Sequence, residues 1–148
     1  MEHGLDRLET QMAVLARRIE HTARTSTTFR QMDRAAYLIA RTLDESGPAS
    51  LNEIARALSL DGSTVTRQVA GMEARGQAAR KIHPVDGRAW IISLTPAGRK
   101  AMETISALRR QRFSEWTAGW TTDDIDTFGE LLQRFNESLA REKPVETR

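Results

Sequence analysis

Within the six residues 63–68 the sequence sets three hydroxyls, a guanidinium and a carboxamide: Ser63, Thr64, Thr66, Arg67 and Gln68. A generic exposed helix face favours Glu and Lys; this set favours directed hydrogen bonds. Arg presents a fork that matches the two acceptors on guanine's major-groove edge, and Gln can pair with the acceptor and donor of adenine. Short hydroxyls near a helix N-terminus can donate to phosphates, whose charge the backbone amides and helix dipole already favour. Positive charge gathers just downstream. Arg67, Arg75, Arg80, Lys81 and Arg88 stand against only Glu73 and Asp86 between positions 67 and 88. Such a cluster is either a solvated face or the electrostatic footprint of a nucleic acid.

Other chemistry is poorly served. His3, His21 and His83 fall in separate segments, and there is no HExxH, P-loop or nucleophile elbow, so the chain does not read as an enzyme. The absence of cysteine excludes disulfides, thiolate metal sites and sensing by thiol oxidation. No cofactor and no metal site are expected. Asp123 and Asp124 read as helix-start carboxylates, not as a catalytic pair.

The residues 63–68 need an element to aim them, and the flanking sequence supplies one. Ser50, Leu51, Asn52 and Glu53 form a capping box, and Leu51, Ile54, Ala55 and Leu58 follow at the spacing of a short amphipathic helix. Leu60, Asp61 and Gly62 make a turn. Asp61 then caps a second helix whose inward face is Val65, Val69 and Met72, leaving Ser63, Thr64, Thr66, Arg67, Gln68 and Gly71 outward. A capped short helix, a tight turn and a second helix describe a helix-turn-helix. Gly71 costs about 1 kcal/mol of helix propensity against Ala, and fits a close approach either to DNA or to another helix.

After Gly76, a helix stop, residues 78–83 and 89–94 carry a β pattern, and the intervening Asp86-Gly87 pair signals a hairpin. Trp90, Ile92 and Leu94 share one strand face, so Trp90 reads as a packing residue. A helix over about 33–45 precedes the motif and closes at Gly47-Pro48. Thr95 as cap and Pro96 at the first turn open a long helix after it, through Met102, Ile105 and Leu108 towards Trp116 and ending near Gly119-Trp120.

The two ends carry narrow apolar stripes. Leu5, Leu8, Met12, Leu15 and Ile19 step by three and four alternately, and Ile125, Phe128, Leu132, Phe135 and Leu139 repeat the pattern. These are seams of helices packing lengthwise on others, and left in water they call for a partner chain. Thr121 with Asp124 marks the start of the last helix and Pro144 its stop. With 148 residues, 39% of them hydrophobic and 28% charged, the chain suits one modest domain. The net charge of +2 is too small to announce a nucleic-acid partner. No apolar run approaches the roughly 20 residues that span a bilayer, and the first residues lack a signal-peptide pattern, so no membrane association and a cytoplasmic location are expected.

Leu51-Asn52-Glu53-Ile54-Ala55, Ser63-Thr64-Val65-Thr66-Arg67, Asp86-Gly87-Arg88-Ala89 and Leu94-Thr95-Pro96-Ala97-Gly98, in this order and spacing, resemble the MarR family pattern. The resemblance covers Pro48 to about Ala101 and implies a mainly α fold with a small β-hairpin wing: a winged helix-turn-helix over about 33–98. The N- and C-terminal helices, about 4–28 and 96–143, would form a dimerisation region within a single domain of 1–148. Double-stranded DNA, read as a pseudo-palindromic operator by a homodimeric repressor, is the implied partner. Arg88 of the wing would enter the minor groove while Asp86 holds the wing in shape. Ser63, Thr64, Thr66, Arg67, Gln68, Arg80 and Lys81 complete the expected DNA-binding set. A small aromatic or phenolic effector is a further possibility the resemblance raises, with Tyr37, Arg41 and Trp116 available to line a crevice. The sequence departs from the family at Ala70-Gly71, where a charged pair is common, and at Gln77-Ala78, where larger apolar residues usually stand. The alternative is a winged-helix module that binds another protein without binding DNA.

Overall fold

A computed structural model describes residues 1–25 and 32–141, apart from the side chains of 23–25. Helix α1, Glu2–Thr25, belongs to a unit of its own, Met1–Gln31, and buries none of its described residues. The second unit, Met32–Arg148, begins with α2, Arg34–Ser46, capped by the Asp33 carboxylate, which accepts the Ala36 N–H at 2.9 Å. Gly47 ends it at φ +83°, a conformation that glycine adopts without a Cβ penalty.

The capping box forms as the sequence requires. Glu53 N–H donates to Ser50 Oγ at 3.2 Å, and Ser50 N–H donates to Glu53 Oε2 at 2.7 Å, opening α3, Leu51–Leu58. Ser59 in a left-handed conformation turns the chain, and Asp61 caps α4, Gly62–Ala74, by accepting the Thr64 N–H at 2.7 Å. Gly76, at φ +68°, then redirects the backbone into β1, Ala78–Ile82. This strand pairs antiparallel with β2, Trp90–Leu94, in the register Ala78 to Leu94 through Ile82 to Trp90. Ala49 adds a bridge to the hairpin, exchanging backbone hydrogen bonds with Ile92 at 2.8 and 3.1 Å.

One core holds these pieces at fixed angles. Ile39, Ala40 and Leu43 of α2, Ile54 of α3, Val65, Val69 and Met72 of α4, and Ile92 of β2 are buried together with Met102 and Ile105 of α5, Pro96–Trp116. Burying each large aliphatic side chain contributes about 1.5–3 kcal/mol, so the inward stripe of α4 fixes which face of that helix remains outside. Beyond Ser106, Leu108, Phe113 and Trp116 of α5 are exposed, and α6, Thr122–Arg141, buries no residue at all. Thr121 and Asp124 cap α6 reciprocally, each backbone N–H donating to the other's side chain at 3.1 Å.

Two expectations change. The strands stop at Ile82 and start at Trp90, each one residue shorter than expected, because His83 and Ala89 belong to the turn. Trp90 is 48% exposed, not packed like Ile92: it pairs with Ile82, itself 58% exposed, where the hairpin leaves the core. Residues 26–28 and 142–143 of the expected helical regions, and the stop at Pro144, lie outside the described residues. Among the described residues no helix is long and apolar enough to cross a membrane.

Candidate nucleic-acid interface

Burial of Val65, Val69 and Met72 turns a stripe of α4 to solvent that starts with Ser63, Thr66 and Arg67 and continues with Ala70 and Ala74. Its N-terminal half carries hydrogen-bonding groups and its C-terminal half carries almost no side chain. A helix built this way can sit deep in a groove, its small residues letting the backbone approach while Arg67 reaches outward. Gly71 lies on the edge of the stripe. Among the described residues a Cβ there would meet only the Arg75 guanidinium, at 3.5 Å, so packing against another described helix does not explain the glycine.

The three hydroxyls of this stretch are engaged within the free chain. Thr64 Oγ1 donates to Asp61 Oδ2 at 2.6 Å, Ser63 Oγ donates to Asp61 Oδ1, and Thr66 Oγ1 donates to the Gly62 carbonyl at 2.8 Å. The Ser63 hydroxyl, then the Thr64 hydroxyl and the Thr64 backbone N–H, hold the Asp61 carboxyl well below the usual carboxylate range. Asp61 is therefore an anion at neutral pH, standing where the helix terminus would otherwise attract another one. Arg67 is exposed and Gln68 half-buried beside it.

The wing tip is built from backbone hydrogen bonds to two side chains. Asp86 Oδ1 accepts the Arg88 N–H at 3.1 Å, and His83 Nδ1 accepts the N–H groups of Val85 at 3.1 Å and Asp86 at 3.0 Å. His83 N–H donates to the Ala89 carbonyl at 2.8 Å and closes the loop. His83 is the residue sequence reasoning missed. Its isolation from the other histidines argues against catalysis, and the only available signal was its place one residue before Pro84 at the mouth of the hairpin. Lys81 and Arg88 are exposed, and neither they nor Arg67 have an ion-pair partner among the described residues.

Arg80 is placed differently from its neighbours. Its Nε and Nη2 donate to the two carboxylate oxygens of Glu73 on α4, at 3.2 and 3.1 Å, and its guanidinium carbon lies 5.9 Å from the ring centre of Trp90. Both side chains of the pair are about 30% exposed. Of the expected DNA-facing cations, Arg80 is the one already committed inside the chain.

The wing and α4 are anchored to α5 by one joint. Thr95 Oγ1 donates to the Gly76 carbonyl at 2.6 Å and accepts the Gly98 N–H at 3.0 Å, while Thr95 N–H donates to the Gln77 carbonyl at 3.1 Å. Elsewhere, α2 and α5 border a cleft of about 540 Å³, a size suited to a small molecule. Tyr37 and Arg41 line it together with Glu45, Ser106, Arg109, Arg110 and Phe113, and Arg41 is ion-paired to Glu45. The Arg109 guanidinium stacks 5.4 Å from the centre of Tyr37 and 5.6 Å from that of Phe113. Trp116 is not part of the lining; it meets Phe113 edge-on and is 58% exposed. No group of His, Asp and Glu among the described residues is arranged to hold a metal ion.

Comparison with known proteins agrees with this geometry. The MarR family pattern matches residues 30–89. The chain is 31% identical over 138 residues to YxaD, an uncharacterized HTH-type transcriptional regulator of Bacillus subtilis, covering 93% of this chain and 96% of that one. Its fold is similar to that of a MarR family protein from Bacillus stearothermophilus, with a TM-score of 0.75 at 19% identity over 95% of this chain and 99% of the other. It is also similar to BpsR of Bordetella bronchiseptica, whose DNA binding is regulated by 6-hydroxynicotinic acid, with a TM-score of 0.67 at 25% identity over 85% of this chain and 98% of that one.

Proposed function

The chain belongs to the MarR family of transcriptional regulators, and on that premise we propose that it binds a pseudo-palindromic operator as a homodimer in the cytoplasm, acting as a repressor released by a small aromatic effector. The carrying observation is the outward face of α4, hydrogen-bonding at one end and nearly bare at the other, beside a wing with two unpaired cations. In this reading α4 enters the major groove, where Arg67 and Gln68 read base edges. Ser63, Thr64 and Thr66 turn their hydroxyls from Asp61 and Gly62 to phosphate oxygens, Asp61 keeping the Thr64 backbone N–H. Lys81 meets the backbone, and Arg88, aimed by the Asp86 turn, enters the minor groove, whose narrow form attracts a guanidinium.

The regulator functions as one domain, with about 33–98 binding DNA and the helices of about 4–28 and 96–143 forming the dimer. Leu5, Leu8, Met12 and Leu15 of α1, and Ile125, Phe128, Leu132, Phe135 and Leu139 of α6, form the interface. That neither helix buries any of its described residues supports this. The cleft beside Arg109 and Arg110 takes the effector, since their guanidiniums and two aromatic rings suit an aromatic carboxylate or phenolate, while Arg41 is paired with Glu45 at its edge. The regulation of BpsR by a hydroxylated aromatic acid supports the same reading.

Arg67→Ala is expected to cost about 1–3 kcal/mol per half-site and to relax preference at one base pair. Arg88→Ala should leave the melting temperature unchanged and weaken operator binding at least about tenfold, or about 1.4 kcal/mol. Titration of operator and scrambled duplexes with both variants, alongside thermal melts, checks the assignment. Equal losses on operator and scrambled DNA for Arg67→Ala would make Arg67 a phosphate contact. Wild-type affinity for Arg88→Ala would remove the wing from the groove.

A further inference from the structure

We propose that Arg80 is a positioning residue that locks the wing to the recognition helix, through Glu73 on one side and Trp90 on the other, and does not itself contact DNA. The inference rests on the DNA-binding reading of α4 and the wing, and it assigns a mechanical role to a cation that sequence alone places on the DNA.

The wing needs a lock. Only Arg75, Gly76 and Gln77 connect α4 to β1, and the joint with Thr95 pins that connection at its base, so what remains to be held is the outer part of the hairpin beyond it. Arg80 holds that part. Its fork takes both oxygens of Glu73, near the C-terminal end of α4, from the middle of β1, where it stands opposite Ile92. Its guanidinium carbon lies over the ring of Trp90 at the start of β2, 5.9 Å from the ring centre. One guanidinium thereby touches the recognition helix and both strands of the wing. A bidentate, partly buried pair resists rotation as well as separation, and arginine alone among cationic side chains supplies both the fork and a flat face for stacking. The arrangement also accounts for the exposed indole, which serves as the floor of the guanidinium where the hairpin has left the core.

The charges agree. A guanidinium whose two nitrogens are bound to a carboxylate offers little net attraction to phosphate, and a carboxylate facing a phosphate-binding cation would oppose that cation's purpose. Lys81, the next residue, points to the opposite strand face, is exposed and has no ion-pair partner among the described residues. The strand thus alternates a structural cation with a free one.

The test uses the full-length protein and compares Arg80→Ala, Arg80→Lys and Glu73→Ala with wild type. Two readouts are taken: amide hydrogen exchange across the wing in the free protein, and binding of a selected operator at several salt concentrations. The lock predicts at least tenfold faster exchange at Lys81, His83 and Ile91 in all three variants, with Val69 on α4 unchanged. It predicts similar operator losses in all three, about tenfold, with the slope of log affinity against log salt preserved. Arg80→Lys keeps the charge and loses the fork, so it should fail like the alanine. Wing exchange that does not change overturns the lock whatever happens on DNA. Tighter binding by Glu73→Ala, wild-type binding by Arg80→Lys, or a shallower salt slope in Arg80→Ala overturns it too, making Arg80 a phosphate ligand. If wild type binds no duplex, the DNA-binding reading falls, and wing exchange still decides the lock.

Discussion

Gly98→Ala is expected to lower stability by about 3 kcal/mol or more, well beyond what a helix-favouring substitution normally does. A Cβ at this position would lie 1.9 Å from the Gln77 carbonyl oxygen, 2.8 Å from its carbon and 2.8 Å from Leu94 Cδ1. The first two atoms are backbone and cannot rotate aside, so the start of α5 would have to withdraw from the junction between α4 and β1. That withdrawal breaks the joint in which Thr95 bonds Gly76 and Gln77. The recognition helix and the wing would then lose their common anchor to α5. Gly71→Ala is the control. Its Cβ meets only the mobile end of Arg75, and relief of the glycine penalty should raise stability by about 1 kcal/mol. Urea denaturation of both variants measures this. Wild-type stability in Gly98→Ala would show that the junction is looser than its geometry implies.

The double substitution of Leu132 and Phe135 by Asp is expected to separate the dimer or prevent folding. Leu132 is 37% exposed and Phe135 half-buried in the single chain, on a helix with no buried residue, so the stripe has less to lose within the monomer than against a partner. Two carboxylates placed in an apolar seam would have to be desolvated without counter-charges, which is prohibitive. A folded monomer would keep α4 and the wing yet engage one half-site only. Operator affinity should then fall by about 10²–10⁴, the advantage that a second linked half-site confers. Sedimentation, circular dichroism and operator titration separate the outcomes. A wild-type protein that sediments as a monomer at micromolar concentration would refute the interface.

Much of the fold was legible because it is governed by local rules. The Ser50–Glu53 box, the Asp61 and Thr95 caps, and the glycines at 47 and 76 announce where helices begin and end, and each does so in the structure. The inward stripe Val65, Val69 and Met72 followed from periodicity alone. What escaped depends on contacts between elements. Trp90 continues the alternation of Ile92 and Leu94, but alternation cannot say where along a hairpin the core ends. Arg80 looks like its neighbour Lys81 until Glu73, seven residues earlier, is brought opposite it by the turn at Gly76. The role of His83 is a matter of lone-pair direction within a turn, which composition does not encode. Likewise the hydroxyls of Ser63 and Thr64 announce hydrogen bonding without disclosing that Asp61 takes it first.

The central claim is that this chain reads duplex DNA through α4 and the wing as a two-fold symmetric pair. The most direct measurement is selection of bound sequences from random duplex DNA by the purified protein, followed by titration of the winner at two salt concentrations. The account predicts enrichment of an inverted repeat whose half-site centres lie about 10 base pairs apart, bound with an affinity that falls steeply as salt rises. No enriched sequence, together with affinity for duplex DNA that is negligible or insensitive to salt, would contradict it and leave the winged helix as a surface for another protein.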